Sequence, residues 1–124
     1  FWIGFREIRT GGRWGDVASV VQRHAEAAGY GVVREYAGHG IGRKMHEDPS
    51  VPNYGIAGRG AVLRKGMTFA FEPMIAAGSP DTRILEDNWT VVMCDGSLSA
   101  HYEHTIAMTE NGPVILTLSS TDVL

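Results

Sequence analysis

The clearest pattern along the chain is an apolar stripe that predicts one amphipathic helix over residues 16–29. Its members recur at intervals of three and four residues, as one face of a helix requires, at Val17, Val20, Val21, Ala25 and Ala28. Asp16 stands at the predicted start as a capping residue, and Gly29 stands at the end. Apolar residues within positions 1–8 also follow helical intervals, without a capping residue before them.

From residue 67 onward the pattern is typical of β-strands. Aromatic and β-branched residues are enriched at 68–75, 89–93, 98–108 and 114–118, and a short strand is predicted at 32–36. Turn residues between consecutive runs favour a meander of antiparallel hairpins. Residues 47–60 are rich in proline and glycine and are predicted to form an irregular loop. A helix followed by an antiparallel sheet makes an α+β fold.

Three separated elements carry side chains that could bind a metal. His39 lies among three alternating glycines, where a neighbouring backbone must approach closely. Glu72 and Glu103 lie within predicted strands, and a carboxylate there is costly to bury unless it is paired, protonated or bound to a cation. One imidazole and two carboxylates are suitable metal ligands. The pattern alone leaves two alternatives open, a glutamate paired with arginine and a histidine that caps a turn.

Composition and charge narrow the classes of function. With 124 residues, 44% of them hydrophobic, the chain predicts a single domain. A net charge of −3 without a long basic cluster argues against binding to nucleic acid or to an anionic membrane. No apolar run is long enough to span a bilayer, and the single cysteine cannot form an internal disulfide. These observations favour a cytoplasmic protein.

Four motifs, in order and at sensible intervals, resemble a known enzyme family. They are GHGIGRKMHEDP at 38–49, FEPM at 71–74, WTV at 89–91 and SLSAHYEHT at 97–105. Together they resemble the type I methionine aminopeptidases, and the similarity runs from about residue 11 to residue 117. The resemblance implies the pita-bread fold, with residues 1–124 as a single partial domain. It would be the C-terminal catalytic half, with the N-terminal half absent.

The resemblance implies a reaction at two divalent ions, which would be Co, Mn, Fe or Zn. In the family the ions lie about 3.5–4 Å apart, and a water between them attacks the carbonyl of an N-terminal methionine. His39, Glu72 and Glu103 are the implied metal ligands, with Glu103 bridging both ions. Glu72 would also exchange a proton with the water as a catalytic residue. His46 would bind the substrate and stabilise its developing oxyanion as the second catalytic residue.

The resemblance also implies residues around the substrate. Met45 and Trp89 would line an apolar pocket for the thioether side chain, although core packing explains a strand tryptophan equally well. His101 shares a strand face with Glu103 and could orient a metal ligand from outside the coordination sphere.

The family scheme includes two aspartate ligands, and a further histidine upstream of them, that have no counterpart in this sequence. The implied ligand set is therefore incomplete, and the isolated chain is expected to be inactive or nearly so. The implied partners are peptides that begin with methionine and the missing half of the fold. Two alternatives stay open: a non-catalytic pita-bread module that binds peptides or proteins, and an Xaa-Pro aminopeptidase.

Overall fold

The chain folds as two helices followed by antiparallel strands in a computed structural model that describes residues 1–119. Helix α1 spans Trp2–Phe5 and helix α2 spans Trp14–Ala27. The predicted stripe faces the core, where its buried members include Val17, Val21 and Ala25. Gly29, just beyond α2, has a φ of 83°, the left-handed conformation that glycine adopts at helix ends. Neither helix in residues 1–119 has the length and apolar content needed to cross a bilayer.

Asp16 caps the start of α2 as predicted, but it does so from the third helical position and not as the N-cap residue. The N-cap residue is Arg13, and the Asp16 carboxylate accepts hydrogen bonds from the backbone N–H of Arg13 at 3.3 Å and of Gly58 at 2.7 Å. These hydrogen bonds, the one from Gly58 first, lower the pKa of Asp16 below its ordinary value. The start was misplaced because the buried Trp14 begins the apolar face two residues earlier. Asp16 thereby fastens the helix start to the loop at Gly58.

Ten strands follow in the described part of the chain. They are β1 (Gly31–Val32), β2 (Gly38–Gly40), β3 (Glu47–Val51), β4 (Thr68–Phe71), β5 (Met74–Ala76), β6 (Thr82–Ile84), β7 (Val91–Met93), β8 (Ser99–His101), β9 (His104–Thr109) and β10 (Gly112–Ile115). One sheet has the order β10-β9-β4-β2-β3, another has the order β1-β5-β8, and β6 pairs with β7. Each of these pairings is antiparallel. The predicted α+β class is confirmed.

One hairpin of the predicted meander is confirmed, because β9 pairs with β10 across a short turn. The rest is wrong, because the central strand β4 pairs with β2 and β9, which are distant in sequence. The predicted loop at 47–60 begins with strand β3, an edge strand where a proline is tolerated because no neighbour needs its missing N–H. The strand predicted at 32–36 is reduced to β1, the one predicted at 89–93 is shortened to β7, and the one predicted at 114–118 is displaced to β10. Strand β6 was not predicted.

The main core packs α2 against the five-stranded sheet. Trp14 is 2% exposed and meets Phe69 and Phe71 edge to face, with ring centroids 5.4 and 5.1 Å apart. Its indole N–H donates to the carbonyl oxygen of Pro52 at 2.7 Å. Large aromatic rings with this geometry contribute strongly to a core of this size. The packing fixes strand β4, which ends immediately before Glu72.

Candidate metal centre

The candidate site lies where a two-stranded ribbon passes from one sheet to the other. The run predicted as one strand over 68–75 is split between β4 and β5 by Glu72 and Pro73. The run predicted over 98–108 is split between β8 and β9 by Tyr102 and Glu103. Pro73 has no N–H to donate to a neighbouring strand, which explains why the ladder is interrupted there. Both glutamates therefore stand in breaks between strands. The prediction that they lie in mid-strand is wrong.

The register of the ribbon places the two glutamates opposite each other. Phe71 pairs with His104 on one side of the break, and Met74 pairs with His101 on the other. The same register across the break sets Glu72 opposite Glu103. The N–H of Tyr102 donates to the carbonyl of Pro73 at 3.1 Å, as this alignment requires. Two carboxylates are thus held side by side by backbone pairing.

His39 presents a ring nitrogen to one of these carboxylates. Its Nδ1 lies 3.0 Å from the carbonyl oxygen of Gly40, which can only accept, so Nδ1–H is the donor. The other nitrogen, Nε2, lies 3.6 Å from Oε1 of Glu72. In the neutral ring with its proton on Nδ1, Nε2 carries a lone pair. Two hydrogen-bond acceptors, Nε2 and Oε1 of Glu72, therefore face each other. Such a pair calls for a proton or a metal cation between the two atoms.

His101 contacts both carboxylates. Its Nε2 lies 3.0 Å from Oε2 of Glu72 and 3.9 Å from Oε2 of Glu103. Among the described residues, donor atoms of Glu72, His101 and Glu103 all lie within 4.8 Å of one another. His39 adjoins this group through Glu72 but is not part of it. The structure therefore brings together the predicted ligands and also His101, which the sequence had suggested only as an orienting neighbour.

Glu72 is the most enclosed of these acids. Its side chain is 13% exposed, whereas that of Glu103 is 45% exposed. Burial, followed by the nearby negative charge of Glu103, raises the pKa of Glu72, while His101 and His39 act in the opposite direction. The backbone carbonyl of Glu72 accepts a hydrogen bond at 3.0 Å from Nδ2 of the fully buried Asn53. Glu72 is thus fixed in an environment where a cation would offset unfavourable negative charge.

An open cavity of about 900 Å³ adjoins the carboxylates. His39, Glu72, His101 and Glu103 all contribute to its wall, together with apolar side chains that include Val33, Met74 and Met93. A concave site of this size, with a few polar groups on an apolar lining, is typical of small-molecule or peptide-end binding.

The residues predicted to contact substrate lie in different places. The ring of His46 is centred 4.0 Å from that of His39, and Met45, which is 72% exposed, contributes to the cavity wall. Trp89 lies in the turn between β6 and β7, is 87% exposed and is not among the lining residues. The alternative that Trp89 fills the core is therefore wrong.

Gly38 allows the strand carrying His39 to approach its neighbours. A Cβ atom at this position would lie 2.2 Å from the carbonyl oxygen of Ala70 and 3.1 Å from that of Val51. The predicted close approach of backbone at this segment is confirmed. We expect Gly38→Ala to lower the free energy of unfolding by about 1–3 kcal/mol, because backbone atoms on both sides must shift.

Urea unfolding measures this loss, with Gly55→Ala as the matched control. A Cβ at Gly55 meets its nearest neighbour at 3.5 Å, an ordinary contact, so the control should stay close to the parent chain. Equal stability of the two variants would contradict the crowding argument.

The donor set fits a divalent transition-metal ion. Two imidazoles and two carboxylates combine the nitrogen and oxygen ligands that Mn, Fe, Co and Zn accept. Asn53 supports this group, but sequence reasoning missed it because a proline-flanked asparagine in a glycine-rich segment is typical of a turn.

Comparisons with known proteins agree with this geometry. The chain is 52% identical over 118 residues to a methionine aminopeptidase from Clostridium perfringens, an alignment covering 95% of this chain and 47% of that protein. The solved methionine aminopeptidase from Thermotoga maritima is 52% identical, with a TM-score of 0.90, over 94% of this chain and 47% of that one. A prolidase from Pyrococcus horikoshii is 25% identical, with a TM-score of 0.63, over 98% and 29%.

The chain spans about half the length of the curated relatives it matches. The predicted resemblance to methionine aminopeptidases and the predicted pita-bread fold are confirmed by these relatives and by the solved structures. The profile of metallopeptidase family M24 matches residues 2–110, most of the sequence. The chain therefore belongs to metallopeptidase family M24.

Proposed function

We propose that this chain is the C-terminal catalytic half of an aminopeptidase that removes N-terminal methionine from new proteins in the cytoplasm. The observation that carries the proposal is the pair of opposed glutamates, Glu72 and Glu103, flanked by imidazoles at the edge of an open cavity. The identity of about half the residues to methionine aminopeptidases supports the substrate, since the similarity to a prolidase is much lower.

His39, Glu72 and Glu103 would hold the metal in the complete enzyme. When bound, divalent ions in such a site supply a water nucleophile at neutral pH and polarise the substrate carbonyl. This chain provides an incomplete ligand set, so the remaining ligands would come from the missing half. Co, Mn, Fe and Zn all suit the donors.

Glu72 would take the proton that the attacking water loses. Its carboxylate is enclosed, with its side chain 13% exposed, and it lines the cavity, which is where a general base for the attacking water has to lie. The hydrogen bond at 3.0 Å from Asn53 Nδ2 to the backbone carbonyl of Glu72 holds this residue in place during the transfer. The proton would then pass from Glu72 to the departing amine.

His46 would stabilise the oxyanion as an exposed N–H donor beside His39, at the mouth of the cavity. Met45 would contact the methionine side chain, since both are flexible thioethers and Met45 lies on the cavity wall. A role for Trp89 in substrate binding rests on the resemblance alone, because its side chain lies outside the lining residues.

Activity of the isolated chain tests the incomplete ligand set. We expect the 124-residue chain, supplied with Mn²⁺ or Co²⁺, to release methionine from Met-Ala-Ser at least about a hundredfold more slowly than the Clostridium perfringens relative. Release of free methionine is measured with both proteins at equal concentration. Turnover close to that of the relative would contradict the proposal that essential ligands lie in another half.

A chimera tests the reaction itself. In it, this chain replaces the matching half of the Clostridium perfringens enzyme, and circular dichroism establishes that the product is folded. Release of methionine from Met-Ala-Ser, lost on Glu72→Gln, is the expected result. A folded but inactive chimera would favour the non-catalytic binding module, and a preference for Gly-Pro over Met-Ala-Ser would favour the Xaa-Pro aminopeptidase.

A further inference from the structure

We infer that His101 is itself a metal ligand, and that Glu72, His101 and Glu103 hold one divalent transition-metal ion without any residue from outside this chain. The inference deepens the proposed function and rests on it, since the two glutamates serve in both. It differs in giving His101 a direct bond to the ion and in making a single-ion site that is complete within one ribbon.

The distances between donor atoms support a shared ion. Ligands about 2.1 Å from a metal lie about 3.0 Å apart at a right angle and about 3.4 Å apart at a tetrahedral angle. Nε2 of His101 lies 3.0 Å from Glu72 and 3.9 Å from Glu103, so small side-chain rotations suffice to reach those separations.

The mobility of the three side chains is suited to closing around an ion. Glu72 is enclosed and held at its backbone by Asn53, so it provides a fixed point. The side chains of His101 and Glu103 are 49% and 45% exposed, and they can turn toward that point without disturbing the core. Backbone pairing of β5 with β8 and of β4 with β9 keeps all three residues in register.

His39 is less well placed for this particular ion. Its Nε2 approaches the opposite oxygen of Glu72, Oε1, whereas His101 approaches Oε2. Within residues 1–119, the donor atoms that lie mutually within 4.8 Å belong to Glu72, His101 and Glu103 and not to His39. The two imidazoles therefore approach different oxygens of one carboxylate, and His101 is the one that lies near Glu103 as well.

Side-chain nitrogen NMR of the 124-residue chain distinguishes a ligand from an orienting neighbour. Nε2 of His101 lies 3.0 Å from Oε2 of Glu72, and because an ionised carboxylate only accepts, we expect this nitrogen to carry a proton in the metal-free chain. Coordination of Zn²⁺ requires this nitrogen to lose its proton, whereas an orienting role keeps the proton in place. We expect one equivalent of Zn²⁺ to convert the His101 Nε2 signal from the protonated to the metal-bound form. His101→Gln assigns the signal, because glutamine can keep the hydrogen bond to Glu72.

Calorimetry provides the second measurement. Zn²⁺ affinity should fall at least about tenfold in His101→Gln and stay unchanged in His24→Gln, an exposed histidine on α2. Zn²⁺ binding that shifts His39 while Nε2 of His101 stays protonated would overturn the inference and leave the proposed ligands intact. A chain that binds no Zn²⁺ at millimolar concentration would overturn both the single-ion site and metal binding by the proposed ligands within this half.

Discussion

Replacing Glu72 with glutamine is expected to weaken Zn²⁺ binding to this chain at least about a hundredfold while raising its stability without metal. Glu72 lies between the imidazoles of His39 and His101, so the substitution removes the negative charge next to both candidate nitrogen ligands. Without a cation, the same carboxylate is partly buried beside Glu103, and its raised pKa reports that its ionised form is unfavourable there. A neutral amide of the same shape removes this cost.

The two opposite effects separate a metal ligand from an ordinary buried residue. Calorimetric titration gives the Zn²⁺ affinity, and urea unfolding in a chelator gives the metal-free stability. Glu86→Gln serves as the control, since Glu86 is exposed in the turn between β6 and β7. A Glu72→Gln chain that loses stability without metal would show that the carboxylate supports the fold. Unchanged Zn²⁺ affinity would show that it is not a ligand.

The main elements and the ligand candidates could be predicted from local patterns. Helix α2 follows from a stripe at intervals of three and four, and His39 follows from the alternating glycines, of which Gly38 meets neighbouring backbone. Glu72 and Glu103 are ligand candidates because a carboxylate among apolar strand residues needs a partner. These inferences depend only on near neighbours in sequence. The helix and the close approach of backbone at Gly38 are confirmed, whereas metal binding by His39, Glu72 and Glu103 stays a prediction.

Apart from the hairpin of β9 and β10, strand pairing could not be predicted, because it depends on contacts between distant segments. Turn residues suggested consecutive hairpins, yet β4 lies between β2 and β9. The effect of Pro73 was also missed. A proline inside an apolar run interrupts a ladder, and here the break turns the ribbon from one sheet into the other at Glu72. The two glutamates lie in the breaks between these strands, so the departure from a regular strand is what forms the site.

The contact partners of individual polar residues could not be predicted from the sequence either. His101 shares a strand face with Glu103, but its distance to Glu72 depends on the register between β5 and β8. The buried hydrogen bond from Asn53 to Glu72 could not be predicted from local sequence, since nineteen positions separate the two residues. Trp89 belongs to a predicted strand by composition and lies in a turn because Asp87 accepts hydrogen bonds from the N–H groups that follow it.

Replacing Phe71 with alanine is expected to lower the free energy of unfolding by about 3–5 kcal/mol. Phe71 is fully buried, meets Trp14 edge to face at 5.1 Å and lies 4.8 Å from the ring of Phe1, measured between centroids. Its removal opens a cavity at the junction of α1, α2 and β4 that these neighbours cannot fill. Since domains are stable by only about 5–15 kcal/mol, much of the total would be lost.

Urea unfolding measures the loss of stability, and two further variants serve as controls. Phe71→Leu keeps most of the volume and should cost less than about 1.5 kcal/mol, whereas Ile56→Ala removes a side chain that is 73% exposed and should stay within about 0.5 kcal/mol of the parent. A loss in Phe71→Ala no larger than that in Ile56→Ala would contradict the packing described here.

Phe71 and Glu72 are adjacent in sequence but belong to different parts of the molecule. The ring of Phe71 packs against the helices, and the carboxylate of Glu72 faces the cavity. Phe71→Ala should therefore reduce stability while the chains that remain folded keep their Zn²⁺ affinity, and Glu72→Gln should do the reverse. Loss of Zn²⁺ affinity in folded Phe71→Ala would mean that the core positions the ligands more directly than backbone pairing does.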